Sequence, residues 1–281
     1  MALFSSLTVA LALAVPAAAD PSRVASIVAN MTLDEKLGLL DGSTSDYTGA
    51  TTAVDRLSVP RLLMNDGPQG FRTSAALAGT TTAFPSGLAI AATFDVKQAA
   101  AWGDAMGEEF AGKGANVQLG PGLNVARVPL NGRNFEYLSG EDPHLGATLV
   151  AAVVPEIQKH GVIANVKHFI GNNQETDRLG GDMVIQERAL HELYLPPFEA
   201  AAEAGVLSAM CSYNRLTVNG VTAWACEHPY SLKTLENISK DIFVMSDWGA
   251  THSSKPSIEA GLDQEMPGST YFGDAMKAKV Q

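Results

Sequence analysis

Five short apolar runs in this chain each stop at a cluster of polar or charged residues, and most hand over to a helical pattern. Arg61-Leu62-Leu63-Met64 runs into Asn65-Asp66-Gly67-Pro68, and Asn116-Val117-Gln118-Leu119 leads through Gly120-Pro121-Gly122 toward Arg133. Val162-Ile163-Ala164-Asn165-Val166 ends in Lys167-His168, and Val206-Leu207-Ser208-Ala209-Met210 ends in Cys211-Ser212-Tyr213-Asn214. Ile242-Phe243-Val244-Met245 stops at Ser246-Asp247-Trp248-Gly249. Buried strands alternating with helices predict parallel βα units, so the expected fold class is α/β, a (β/α)8 TIM-like barrel. In such a barrel the residues at the carboxyl ends of the strands share one mouth. Asp66, Arg133, Lys167, His168, Tyr213 and Asp247 are therefore expected to converge.

Only five strand ends are legible where a closed barrel has eight. The pattern predicts either weakly patterned strands, with room for them between Asp66 and Val117, or an incomplete barrel with open sheet edges. Helices are predicted over residues 96–112, 145–160 and 186–204, the last interrupted at Pro196-Pro197, with weaker ones near Leu232 and from Gly273 onward. Thr32-Leu33-Asp34-Glu35 has the form of a capping box opening a helix through Leu40. Residues 41–53, rich in Gly, Ser and Thr, read as a loop.

The 281 residues are 46% hydrophobic, enough for one large core. A formal net charge of -11 disfavours nucleic acid and anionic membrane surfaces as partners and suits a small neutral ligand. Residues 1–19 combine an apolar stretch from Leu7 to Val15 with Ala17-Ala18-Ala19 before Asp20, the pattern of a secretory signal, or of an alanine-rich first helix. No other segment is apolar over the ~20 residues of a membrane span. The two cysteines, Cys211 and Cys226, flank a loop containing Asn219-Gly220; in an exported protein they can close a local disulfide, and otherwise they are two unrelated thiols. Asn30-Met31-Thr32 and Asn237-Ile238-Ser239 are glycosylation sequons at Asn30 and Asn237. The six histidines lack metal-binding spacing, and nucleotide-binding fingerprints are missing, so no metal and no cofactor is expected.

A carboxylate beside an indole, as in Asp247-Trp248, suits sugar chemistry, supplying an anion for an anomeric carbon and an apolar plate for a pyranose face. The motifs Leu62-Leu63-Met64-Asn65-Asp66-Gly67-Pro68, Gly132-Arg133-Asn134-Phe135-Glu136, Lys167-His168-Phe169-Ile170-Gly171-Asn172, Cys211-Ser212-Tyr213-Asn214-Arg215 and Val244-Met245-Ser246-Asp247-Trp248, in that order, resemble glycoside hydrolase family 3 and its secreted β-glucosidases. The resemblance implies that Asp247 is the nucleophile of a retaining double displacement releasing terminal β-D-glucosyl residues from a β-glucoside or cello-oligosaccharide. It implies that Asp66, Arg133, Lys167, His168 and Arg178 hold sugar hydroxyls, and that Met210, Tyr213 and Trp248 close over the ring. It further implies that residues 20–281 are the family's N-terminal (β/α) barrel domain. The general acid is then expected from a C-terminal α/β sandwich domain, which is absent from this sequence. Alternatives are a β-xylosidase or other exo-glycosidase of the family, or a sugar-binding fragment without catalysis. Each residue also has a plainer role: Asp66 as a turn former, and Arg133 and Arg178 as ties to Glu136, Glu141 or Asp177. The sequence leaves the oligomeric state open.

Overall fold

A computed structural model of the protein describes residues 20–43, 47–73 and 79–280. The signal expected at 1–19 lies outside them. The strands are β1 (Gly49–Ala50), β2 (Leu63–Asn65), β3 (Val117–Gln118), β4 (Ile163–Phe169), β5 (Asp182–Val184), β6 (Ser208–Cys211), β7 (Arg215–Val218), β8 (Val221–Trp224) and β9 (Phe243–Ser246). The five apolar runs are β2, β3, β4, β6 and β9, which neighbour one another in that order and run parallel.

β1 adds antiparallel to β2, pairing Gly49 with Met64 and Ala50 with Leu63. The two ends of this six-stranded sheet are joined by short segments. Gln264 bridges Met245 of β9, and Glu265 bridges Asp41. The Gly42 N–H donates to the Glu265 carbonyl at 2.9 Å, and the Ala50 N–H donates to the Ser43 carbonyl at 2.8 Å. Six strands and two bridging segments, 41–43 and 264–265, thus go round in a ring. The expected open edges are therefore bridged, and the loop expected over 41–53 contains two of the ring's segments. Among the described residues between Asp66 and Val117, where unseen strands had room, the regular elements are two helices, over Gly87–Ala91 and Val96–Gly112.

Met64, Val117, Leu119, Met210, Met245 and Met266 form one buried cluster, contributed by segments all round the ring. Unbranched methionines suit this irregular interior because they adapt to uneven gaps.

The helices are α1 (Pro21–Asn30), α2 (Leu33–Leu40), α3 (Gly87–Ala91), α4 (Val96–Gly112), α5 (Pro143–Gln158), α6 (Glu187–Ala189), α7 (Pro196–Glu203), α8 (Pro229–Ile238), α9 (Lys255–Ala260) and α10 (Asp274–Val280). The capping box forms: Glu35 Oε2 accepts the Thr32 N–H at 2.8 Å, and Thr32 Oγ1 accepts the Glu35 N–H at 3.3 Å. The stretch predicted over 186–204 divides into α6, a π turn at Leu190–Tyr194, and α7, with Pro196 and Pro197 opening α7 where missing amide donors cost least. Helix α4 packs on α5, and α5 on α7. Gly103 and Gly107, one turn apart on α4, allow the first contact: a Cβ at Gly103 would stand 2.8 Å from the Val153 carbonyl oxygen, and one at Gly107 2.9 Å from Ile157 Cα.

A second sheet, β5-β7-β8, lies beside the barrel. Strands β7 and β8 turn at Asn219 and Gly220, whose φ values of 52° and 77° match the twist of a tight hairpin. The Cys211–Cys226 disulfide ties this hairpin to the end of β6.

Candidate active site

A cleft of about 840 Å³ opens at the carboxyl ends of the parallel strands. Its lining includes Asp66, Arg133, Lys167, His168, Arg178, Met210, Tyr213, Asp247 and Trp248, so all nine residues singled out as catalytic or sugar-binding meet there. Tyr47, Thr48, Asn65, Arg72, Ser246 and Met266 join them. Apart from Asn65 and Ser246, which lay inside quoted motifs, these carried no individual signal. Arg72 follows the Asn-Asp-Gly-Pro turn closely enough that its approach to Asp66 was foreseeable.

Asp66 follows β2, Tyr213 follows β6 and Asp247 follows β9, as strand-end geometry requires. Lys167 and His168 are consecutive in β4, and adjacent strand residues ordinarily point to opposite faces. Both reach the cleft because the pairing of β4 with β6 shifts register between Val166 and Phe169, an irregularity that re-aims side chains. Arg133 arrives on the long connection after β3, and Arg178 on the loop after β4.

The charges form a connected network. Glu136 grips Arg133 with both oxygens, at 2.8 Å to Nε and 2.9 Å to Nη2, and stands 3.4 Å from Lys167 Nζ. Lys167 also faces Asp66 at 3.9 Å, while Arg72 donates to the other Asp66 oxygen at 3.0 Å. Glu175 holds Arg178 and lies 3.6 Å from Arg133. The tie roles considered for Arg133 and Arg178 are thus real, with Glu136 and Glu175 as partners, and both arginines still line the cleft. Burial works to raise the Glu136 carboxyl, but Lys167 and Arg133 together hold it below the ordinary range. Exposed Glu141 does not line the cleft.

Asp247 is buried, with 8% of its surface exposed, and burial raises its carboxyl above the ordinary value of 3.8 against the pull of Lys167, the Trp248 amide, the Tyr213 hydroxyl and Arg133. Oδ1 accepts the Trp248 N–H at 2.7 Å, whereas Oδ2 is buried without a hydrogen-bond partner. One oxygen is fixed by the backbone, and the other lies 3.3 Å from His168 Nε2. The Arg178 guanidinium lies over the Tyr213 ring, 4.3 Å from its centroid. Trp248, 44% exposed, stands at the rim. His168 is buried, and burial followed by the cations Arg133, Lys167 and Arg178 drives its pKa well below 6.5, so it is neutral.

Among the described residues no group of three or more His, Cys, Asp or Glu is placed to hold a metal ion, and no helix is long and apolar enough to cross a membrane. Asn30 at the end of α1 and Asn237 on α8 are both exposed.

The chain matches the glycosyl hydrolase family 3 N-terminal domain over residues 23–277. It is 42% identical over 247 residues to a β-glucosidase of Rhizobium radiobacter, covering 86% of this chain and 29% of that relative. It is 40% identical over 272 residues to β-glucosidase 1 of Saccharomycopsis fibuligera, covering 90% and 30%. A crystal structure of a β-glucosidase from Streptomyces venezuelae in complex with D-glucose superposes with a TM-score of 0.85 at 36% identity, over 93% of this chain and 35% of that one. β-Glucosidase 3B from Thermotoga neapolitana in complex with glucose gives 0.81 at 35% identity, over 91% and 39%. The chain spans about a third of the length of these relatives. Sequence and fold agree that this chain belongs to glycosyl hydrolase family 3.

Proposed function

We propose that this chain carries the glucosyl-binding and nucleophile half of a retaining β-glucosidase site. The observation that supports this most is the placement of Asp247, which follows β9 and lines one cleft with Asp66, Arg133, Lys167, His168 and Arg178, its Oδ1 held by the Trp248 amide. The Asp247 carboxylate attacks the anomeric carbon. The bond to the aglycone oxygen breaks, its electron pair leaves with that oxygen, and a proton from a general acid neutralises it. Water then attacks the glycosyl ester from the vacated side, releasing glucose with its β configuration retained and restoring the Asp247 carboxylate.

Asp66, Arg133, Lys167, His168 and Arg178 hold the sugar hydroxyls, with Met210 and Tyr213 closing over the ring beside Asp247 and Trp248 as a wall. Charged groups already paired with one another can exchange those bonds for sugar hydroxyls at little desolvation cost. A carboxylate at Asp66 suits the outer hydroxyls of a hexose.

Glu136 is engaged with Arg133 and Lys167, which hold it as an anion and not a proton donor. The resemblance to the family assigns the acid to a carboxyl on an α/β sandwich domain. Secretion is part of the same proposal, consistent with the signal pattern at 1–19, the disulfide and the exposed sequons.

Dinitrophenyl β-glucoside tests the function, because its leaving group departs without an acid. The chain should cleave it faster than the matching xyloside, and Asp247→Asn should abolish the reaction. Preference for the xyloside would replace the glucosidase with another exo-glycosidase, and turnover insensitive to Asp247→Asn would remove the mechanism.

A further inference from the structure

A neutral imidazole can present either a donor or an acceptor to a bound sugar, so hydroxyl binding by His168 leaves its chemistry undefined. The structure defines it. The His168 ring is buried edge-on against buried Tyr137, with centroids 5.9 Å apart. Nδ1 stands 3.2 Å from the Tyr137 hydroxyl. Nε2 stands 3.3 Å from Arg133 Nη2 and 3.3 Å from Asp247 Oδ2.

A guanidinium has five N–H donors and no acceptor. The Arg133 N–H directed at Nε2 therefore meets a lone pair; a proton on Nε2 would set donor against donor. Arg133 is not free to turn away, because Glu136 holds it at two points. Asp247 Oδ2, 3.3 Å from Nε2, makes no hydrogen bond to it. With Nε2 accepting, the single ring proton sits on Nδ1, where the Tyr137 oxygen receives it. Tyr137 is buried and does not line the cleft.

We propose that Tyr137 is a positioning residue which, with Arg133, locks His168 in the tautomer protonated on Nδ1, so that the imidazole meets a bound sugar as a hydrogen-bond acceptor. A hydroxyl placed between Arg133 and His168 accepts from the first and donates to the second. A fluorine or methoxy group at that position keeps the first bond and loses the second. The sugar half of this inference rests on the proposed glucoside-binding function, whereas the tautomer lock does not.

Nitrogen-15 labelling of histidine in the folded full chain tests the lock. Long-range proton–nitrogen correlation identifies the protonated ring nitrogen, with His168 assigned by the signals missing from His168→Gln. Wild type should show protonated Nδ1 and bare Nε2. Tyr137→Phe keeps the ring contact but removes the acceptor, and should move the equilibrium toward protonated Nε2 by about tenfold or more. Protonated Nε2 or an imidazolium in wild type would overturn the lock, and that spectrum decides it even if the variant does not fold. An unchanged tautomer in folded Tyr137→Phe would overturn the role of Tyr137. Added glucose should shift the Nε2 resonance without moving the proton. A resonance that glucose leaves untouched would overturn the sugar half alone.

Discussion

The backbone N–H of Asp247 donates to the carbonyl of Cys211 at 3.0 Å, so the proposed nucleophile is anchored on one half of the disulfide. Cys211 also pairs with Ser246 across β6 and β9, and Tyr213 lies two residues beyond it. Cys226 carries the other half, at the far end of the β7–β8 hairpin. Cross-linking across 15 residues restricts the unfolded chain by about 3 kcal/mol. Cys226→Ser should therefore lower unfolding stability by about that amount in denaturant titration. An unchanged midpoint would show that the link contributes nothing to the fold.

Glu136 is the anion between Arg133 and Lys167. Glu136→Gln keeps its size but leaves buried Lys167 and half-buried Arg133 short of a partner, with an expected stability loss of about 3–5 kcal/mol. Adding Lys167→Met should recover part of that loss, which a double-mutant cycle would measure as coupling between the two. Strict additivity would contradict the network.

The proposed attack by Asp247 needs its anion, and burial raises its pKa above 3.8. The rate of glycosylation by an activated substrate should therefore fall as pH drops through that raised value. The acid limb of kcat/KM should lie above the ordinary carboxyl value, and Asp247→Glu should move it. Because His168 stays neutral, it should add no second limb near 6.5. A single limb at or below 3.8 would be inconsistent with a buried nucleophile.

Met266 lies in the barrel interior just past the segment that joins β9 to residues 41–43. Met266→Ala should cost about 2–5 kcal/mol, as for other buried methionine truncations. Loss of less than about 1 kcal/mol would mean that the ring is loosely filled at its join.

The parallel strands were legible because β2, β3, β4, β6 and β9 each sit in an apolar run that ends abruptly. The join of the ring was not, because residues 41–43, 49–50 and 264–265 are too short for a strand period and rich in Gly or polar residues. Convergence of Asp66, Arg133, Lys167, His168 and Asp247 followed from strand-end logic. Arg178, Met210 and Trp248 entered through the family motifs. The β5–β7–β8 sheet escaped because β5 and β8 lack a buried face. The arrangement around His168 could not be read from sequence at all, since it depends on Tyr137, 31 residues away, meeting Nδ1 in space.

The central claim is that Asp247 is a working nucleophile. Incubating the chain with 2-deoxy-2-fluoro-β-glucosyl dinitrophenolate and mapping the modified peptide by mass spectrometry tests it without needing a general acid. The account predicts one fluoroglucosyl adduct, carried by Asp247. A cooperatively melting chain that binds glucose yet forms no adduct, or forms it elsewhere, would contradict that claim and leave a sugar-binding module in its place.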